Sequence, residues 1–334
     1  MLEKPQIHDE LIFSRLRDEY GIDVAELNFR SSGDSNNAAY DVLTDEGTKY
    51  FLKLRRAFDE IVVTVPLFLK AQGIEAIIVP CETTSHRYWA DFDEYTIILY
   101  PFVKGKNGFE IELSDQHKRK LGIALKAIHS TNVPLKLKKQ IPQEVFSPHW
   151  RETIKLLQVQ AEAISFQDPT AARLAIVIKS RKDTINHLVQ RTEQLAAELH
   201  SKSLELVLCH SDVHARNMLI TADDQLFIVD WDNPILAPKE RDLMFIGGGI
   251  DNIWKSERDQ ALFYEGYGRP DIDLSARAYY RYERVIQDLA DYGAQVLLSN
   301  EGSEIERETH CRYFMMNIDE NPRIERAKQT DPLN

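Results

Sequence analysis

The stretch from Val207 to Asp232 constrains this chain more than any other, because one unusual device occurs in it twice. An apolar strand, Val207-Leu208-Cys209, runs into His210-Ser211-Asp212, and Asn217 follows before the apolar Met218-Leu219-Ile220. A second apolar run, Leu226-Phe227-Ile228-Val229, then delivers Asp230-Trp231-Asp232. A hairpin of this length folds Asn217 and Asp230 to one end of two strands, where two oxygen donors suit a hard, octahedral Mg²⁺. A single acid after a strand is usually a turn former or a cap. Two strand-borne acids, one amide and one histidine at these offsets rarely coincide for structural reasons. His210 reads as a brace for the loop; His214 reads either as a group approaching the phosphates or, more plainly, as an exposed loop histidine.

Asn217 stands five residues after Asp212 and Asp230 thirteen after Asn217, the spacing of a kinase catalytic loop and its second metal ligand. In that arrangement Asp212 accepts the proton of a substrate hydroxyl, while Asn217 and Asp230 hold magnesium. Such a loop needs a cation for the nucleotide phosphates. Lys53 lies inside the apolar strand Tyr50-Phe51-Leu52-Lys53-Leu54, a costly place unless the ammonium meets an anion. The other reading is an edge-strand lysine facing water. Glu60, on the following helix, is the candidate pairing carboxylate, and the sequence does not separate it from Asp59. Between two strands, Arg30 to Asn37 offers backbone amides with Gly33, Ser35 and Asn36 for phosphate oxygens. This loop has no glycine-rich phosphate fingerprint. Tyr100, Phe102 and Val103 occupy the segment whose backbone would meet an adenine edge; a buried strand end fits the same residues equally.

The rest of the pattern is that of an α+β chain with two lobes. A helix over 8–19 precedes strands at Ala25–Phe29, Ala38–Leu43 and Tyr50–Leu54, with Asp45-Glu46-Gly47 as a turn. A helix over Phe58–Gln72 follows, then strands at Arg87–Ala90 and Tyr95–Pro101. Lys104 to Gly108 is polar and glycine-bearing and reads as a linker. Ser114 caps a helix ending near His129, residues 150–200 are helical with a break at Asp168-Pro169, and helices return from about Asp259. The reading is a small nucleotide-binding lobe over 1–103, an antiparallel sheet with one helix, and a larger, mainly helical lobe over 104–334 for catalysis and substrate binding.

Composition excludes several classes. Among 334 residues, 53 acidic against 41 basic side chains leave a net charge of −12. Such a surface repels nucleic acid and suits a cationic small molecule, though solubility alone also accounts for acidity. The 3 cysteines are far apart, so neither a disulfide framework nor a zinc site is indicated. No apolar run is long enough to span a bilayer, and the N-terminus lacks a signal core. A cytoplasmic enzyme without a membrane partner is expected.

His210-Ser211-Asp212-(x4)-Asn217 with Ile228-Val229-Asp230-Trp231-Asp232 resembles the aminoglycoside phosphotransferase and choline-kinase group, a branch of the protein-kinase-like fold. Leu121-Gly122-x-x-Leu125-x-x-Ile128-His129 looks like that family's first large-lobe helix. Arg241-Asp242-Leu243 matches its motif after the metal acid, where the aspartate braces the catalytic loop. The run Ala237 to Gly249, the run Phe263 to Gly268, and Ser147-Pro148-x-Trp150-Arg151-Glu152 are similar to the branch that phosphorylates aminocyclitol antibiotics. The resemblance implies ATP with Mg²⁺ and a cationic aminocyclitol acceptor. The same motifs serve metabolic kinases of choline, homoserine or amino sugars, and a silent nucleotide binder is the third reading. A cationic acceptor calls for carboxylates or aromatic faces: Asp232, Trp254, and Asp288 and Asp291 on a helix over Tyr279–Leu298. Arg284 and Asp288 share a face there, and an internal surface pair is the plain alternative. The glycine run 247–249 reads either as close backbone approach or as a flexible loop.

Overall fold

A computed structural model describes residues 4–30, 37–249, 253–299, 302–319 and 322–333. α1 (Asp9–Tyr20) is followed by the antiparallel strands β1 (Val24–Arg30), β2 (Asn37–Thr44) and β3 (Lys49–Arg55). α2 (Ile61–Ala71) starts later than the apolar run from Phe58 suggests, because Asp59 Oδ1 accepts the Ile61 amide proton at 3.0 Å. β4 (Ala90–Phe92) lies nearer its partner β5 (Tyr95–Pro101) than the apolar pattern indicates, since the chain turns tightly at Asp93, φ +49°. The glycine-bearing stretch read as a linker is partly a strand, β6 (Gly105–Asn107), whose backbone groups are satisfied by pairing.

α3 (Asp115–His129) begins at Ser114 in a reciprocal cap with His117, and the single turn α4 (Leu135–Lys138) follows. α5 (His149–Ala163), α6 (Pro169–Ser180) and α7 (Lys182–His200) come next. Their break is a cap: Asp168 Oδ1 accepts the Thr170 and Ala171 amides, and Pro169 fills the first helical position. Then come β7 (Val207–Cys209), β8 (Met218–Thr221), β9 (Leu226–Ile228) and β10 (Ile235–Ala237). The helices α8 (Glu240–Leu243), α9 (Glu257–Tyr267), α10 (Leu274–Leu297), α11 (Glu304–Asp319) and α12 (Pro322–Gln329) complete the order.

Backbone contacts divide the chain into two compact units that are interleaved in sequence. The first comprises Met1–Leu113, Thr131–Ile141 and Ala215–Pro234. Its antiparallel sheet has the order β1-β2-β3-β5-β4, and α1 buries Ile12 and Leu16 with Tyr40, Leu52, Leu54, Ile97 and Leu99. Because side chains alternate along a strand, Leu52 and Leu54 in this core leave Lys53 and Arg55 together on the opposite face of β3. A second sheet, β6-β8-β9, pairs Met218 with Ile228. The Val229 amide donates to the Asn217 carbonyl at 2.9 Å, so Asn217 and Asp230 flank one end of that hairpin.

The second unit comprises Ser114–Ser130, Pro142–His214 and Ile235–Asn334 and is mainly helical. Its central helix α10 buries Tyr279, Tyr280, Tyr282, Val285, Ile286 and Leu289 against α5, α7, α11 and α12. α3 and α9 cross at almost no separation. A Cβ at Gly122 would lie 2.1 Å from the Phe263 carbonyl oxygen, and one at Gly266 2.1 Å from that of Arg119. β7 pairs antiparallel with β10 and leads into the loop that carries Asp212.

Candidate active site

In the first unit, four charged side chains converge. Lys53 Nζ lies 2.5 Å from Asp230 Oδ1 and 3.1 Å from Asp232 Oδ1, and Arg55 pairs with Asp232. Burial works against the Lys53 ammonium, but the two carboxylates outweigh it and hold its pKa well above the ordinary lysine value. Asp230 sits at φ +70°, a conformation that costs a non-glycine residue energy and is found where a side chain must be aimed. Its side chain is 42% exposed, which leaves room for a ligand. Asn217 is buried in a single 3₁₀ turn, Ala215–Asn217, before β8. An amide oxygen and a carboxylate are hard donors, and the pair fits Mg²⁺.

The second unit holds Asp212. Its Oδ1 accepts a hydrogen bond from Arg284 Nη1 at 2.7 Å, and its Oδ2 is 3.3 Å from His214 Nε2. Burial raises the Asp212 pKa, yet Arg284 and His214 outweigh it and keep the carboxyl well below its ordinary range. The preceding loop is braced from below. Asp242, fully buried, accepts the His210 amide at 2.9 Å and the Ser211 amide at 2.6 Å. His129 Nε2 lies 3.0 Å from the same carboxylate, and His129 Nδ1 lies 2.7 Å from the Tyr267 hydroxyl. His210 is itself buried, and its Nδ1 accepts the Asp212 amide at 3.2 Å, so it is part of the scaffold as its spacing suggests. Ser211 has φ +71°; the two amides held by Asp242 stabilise a backbone turn that a serine would otherwise leave. His129, Cys209 and Asp242 lie close enough together to hold a metal ion. His129 and Asp242 instead serve this brace, and Cys209 Sγ points to the Ala237 and Pro238 carbonyls at 3.7 Å each.

The remaining residues singled out in the sequence fall as follows. Glu60 is exposed at the residue before α2, and Lys53 takes Asp230 and Asp232 as its carboxylates instead. A glutamate seven positions along sits past a strand end and a turn, where chain reach alone does not return it to the strand face. Gly33, Ser35 and Asn36 lie outside the described residues. Tyr100 pairs with Phe51 across β5 and β3, their ring centroids 6.5 Å apart. Phe102, followed by the half-buried Val103, lies under the Arg30 guanidinium and the Lys49 ammonium, each 5.9 Å from its ring centroid. Asp232 belongs to the Lys53 and Arg55 cluster. Trp254 is only 7% exposed and packs edge-on to Phe263, so little of its ring is open to a ligand. Asp288 has both carboxylate oxygens on arginines, Arg284 at 3.1 Å and Arg323 at 2.6 Å. Asp291 is exposed on α10. In the run 247–249, a Cβ at Gly248 would lie 2.1 Å from the Met244 carbonyl oxygen, so close backbone approach accounts for Gly248, while Gly247 and Gly249 have φ of +65° and +76°.

Three residues with clear roles escaped the sequence reading. Arg55 follows Lys53 by two positions, the strand period that puts two cations on one face, and that signal was available. Arg284 was visible only as a partner for Asp288. Tyr267 lay in a run that carried the resemblance, but its partner His129 is 138 residues away and gave no sign of the contact.

The phosphotransferase enzyme family matches residues 27–281. Among solved structures, spectinomycin phosphotransferase APH(9)-Ia in complex with ADP and spectinomycin is 36% identical, with a TM-score of 0.90 over 98% of this chain and 99% of that one. The AMP-bound complex of the same enzyme is 34% identical, with a TM-score of 0.84 over 96% and 98% of the two chains. Choline kinase LicA from Streptococcus pneumoniae, at 15% identity and a TM-score of 0.58 over 93% and 99%, shares the fold alone. No helix among the described residues is long and apolar enough to cross a membrane. The fold is α+β and protein-kinase-like, and the chain belongs to the phosphotransferase enzyme family.

Proposed function

We propose that this protein transfers the γ-phosphoryl group of ATP to a hydroxyl of spectinomycin or a close aminocyclitol, and so confers resistance to that antibiotic. The observation that carries the proposal is likeness over the full length, 36% identity across 98% of the chain, to an enzyme solved with ADP and spectinomycin. The charge arrangement supports the same chemistry. Phosphoryl transfer depends on positioning and charge neutralisation more than on covalent work by the protein.

In this reading Asp212 orients the acceptor hydroxyl and receives its proton as the oxygen bonds to the γ-phosphorus and the bond to ADP breaks. Lys53 meets the α- and β-phosphates, and its contact with Asp230 is exchanged when nucleotide binds. Asn217 and Asp230 hold Mg²⁺, which when bound neutralises charge on the phosphate oxygens. We assign Gly33, Ser35 and Asn36 to the phosphates and Tyr100, Phe102 and Val103 to the base. Residues 1–103 serve as the nucleotide-binding lobe and 104–334 as the catalytic and substrate-binding lobe. Asp291 is the carboxylate we assign to an acceptor ammonium; Asp232 and Asp288 act through the arginines and lysine they hold.

ADP release from Mg²⁺-ATP tests this, with spectinomycin, kanamycin, hygromycin, choline and no acceptor as parallel arms and Asp212→Asn as the control. Stimulation by spectinomycin alone, abolished in the variant, is the expected result. Stimulation by choline in its place would make the protein a metabolic kinase. A response equal in all arms and in both proteins would mark a silent nucleotide binder.

A further inference from the structure

Behind Asp212 stands a chain of alternating charge that runs into the C-terminal helices. Arg284 Nη1 donates to Asp212 Oδ1 at 2.7 Å, and Arg284 Nε donates to Asp288 Oδ1 at 3.1 Å. Arg323 Nη1, from α12, donates to Asp288 Oδ2 at 2.6 Å, while its Nη2 reaches the Asn317 side-chain oxygen of α11. The Arg284 guanidinium also lies 5.8 Å from the centroid of the Phe245 ring. Exposed ion pairs wander and contribute little. Here the side chains of Arg284, Asp288 and Arg323 are no more than 18% exposed. Two different edges of one planar guanidinium bind two different carboxylates, so rotation of the fork is blocked at both ends.

We infer that Arg284, backed by Asp288 and Arg323, is a positioning device that fixes the orientation in which the Asp212 carboxylate meets the acceptor's hydroxyl. The inference rests on Asp212 having the role proposed above. Arg284 holds Oδ1 and His214 Nε2 lies 3.3 Å from Oδ2, so the carboxylate meets the hydroxyl in one orientation. The proton passes to the Asp212 carboxylate as the hydroxyl oxygen bonds to phosphorus and the phosphorus–oxygen bond to ADP breaks. Arg284 and His214 face this carboxylate; Asp288 and Tyr292 on α10 face Arg284, Arg323 of α12 faces Asp288, and His210 meets the Asp212 amide. With Arg284 and His214 dominant among them, Asp212 stays anionic through the working pH range. It aligns the hydroxyl early and takes the proton late.

The test compares wild type with Arg284→Gln, Arg284→Lys and Arg323→Met. In Arg284→Gln, kcat should fall about 10- to 100-fold, the scale of one charge-assisted hydrogen bond, with KM for ATP unchanged. The acid limb of the kcat–pH profile should move up toward the ordinary carboxylate range. Arg284→Lys should restore the limb but not the full rate, since an ammonium does not span two carboxylates at fixed angles. Arg323→Met should lose a few-fold in kcat. A kcat within twofold of wild type with an unmoved acid limb in Arg284→Gln would overturn the inference, as would equal losses in kcat and ATP affinity. Titration of the Asp212 carboxyl by ¹³C NMR, assigned with Asp212→Asn, gives a readout that needs no acceptor. If wild type shows no acceptor-stimulated turnover, the functional reading fails, and this titration still decides the relay. If Arg284→Gln does not fold, the same titration in Arg323→Met decides it; an unmoved Asp212 would count against the relay.

Discussion

Lys53 and Arg284 each bring a cation to an acid that we place at the chemistry, yet they hold it in opposite ways. Lys53 is a compact point charge on a flexible stem, and Asp230, its partner, is exposed over 42% of its side chain. Arg284 is a planar fork whose donors are fixed by Asp288 and whose face lies against Phe245. The difference teaches which counter-ion is exchangeable. A contact that a metal and phosphates must replace is made by lysine to an exposed carboxylate. A contact that must survive every turnover is made by arginine inside a network.

The largest expected effect breaks the comparison at its centre. Asp212→Asn should lower the transfer rate on the order of 10²–10⁴-fold while the ATP dissociation constant, measured by calorimetry, stays within about twofold. Loss of nucleotide affinity instead would assign Asp212 to the exchangeable class. Next, Lys53→Met should raise KM for ATP about 10- to 100-fold and leave the acid limb of the kcat–pH profile where it is. A shifted limb would mean that both cations tune Asp212, and the contrast would collapse. Removing divalent metal with a chelator should stop turnover in wild type and in Arg284→Lys alike.

Smaller effects sharpen the comparison through stability. Gly122→Ala forces a methyl into the Phe263 carbonyl at the crossing of α3 and α9, which carry His129 and Tyr267. Overpacking of this kind costs about 1–3 kcal/mol, read as a lower urea midpoint. An unchanged midpoint would show that the crossing is not rigid. The smallest effect concerns Glu283, next to Arg284, whose pKa burial pushes up to about 7 although Arg151 lies at 2.7 Å. The folded state binds this proton more tightly than the unfolded chain does. Its contribution is therefore complete below the unfolded value of 4.5 and is lost as pH rises toward about 7. Urea midpoints at pH 5 and pH 7.5 should converge in Glu283→Gln; an undiminished slope would place the titrating group elsewhere.

The legible part of this protein is the part whose geometry is local. His210, Asp212, Asn217 and Asp230 are separated by a few residues of strand and loop, and strand periodicity fixes which ends they reach. Ser114 as a cap and the break at Asp168-Pro169 were readable for the same reason. The stretch over 104–108 misled because polar composition looks alike in a linker and in a short paired strand; the pairing with β8 supplies what composition lacks. Glu60 was the natural partner for Lys53 by proximity in sequence, but the charge is met by Asp230, 177 residues away.

By itself the sequence determined the reaction-bearing spacing, the acidic balance and the alternation that turns Lys53 away from its apolar neighbours. Covalent distance and the strand and helix periods suffice for those. The tertiary structure alone decided which cation holds which acid: Lys53 on Asp230, Arg55 on Asp232, Arg284 on Asp212, and Tyr267 behind His129. Such pairings depend on how separate elements pack, and a difference of a few ångströms in packing moves a charge from one partner to another.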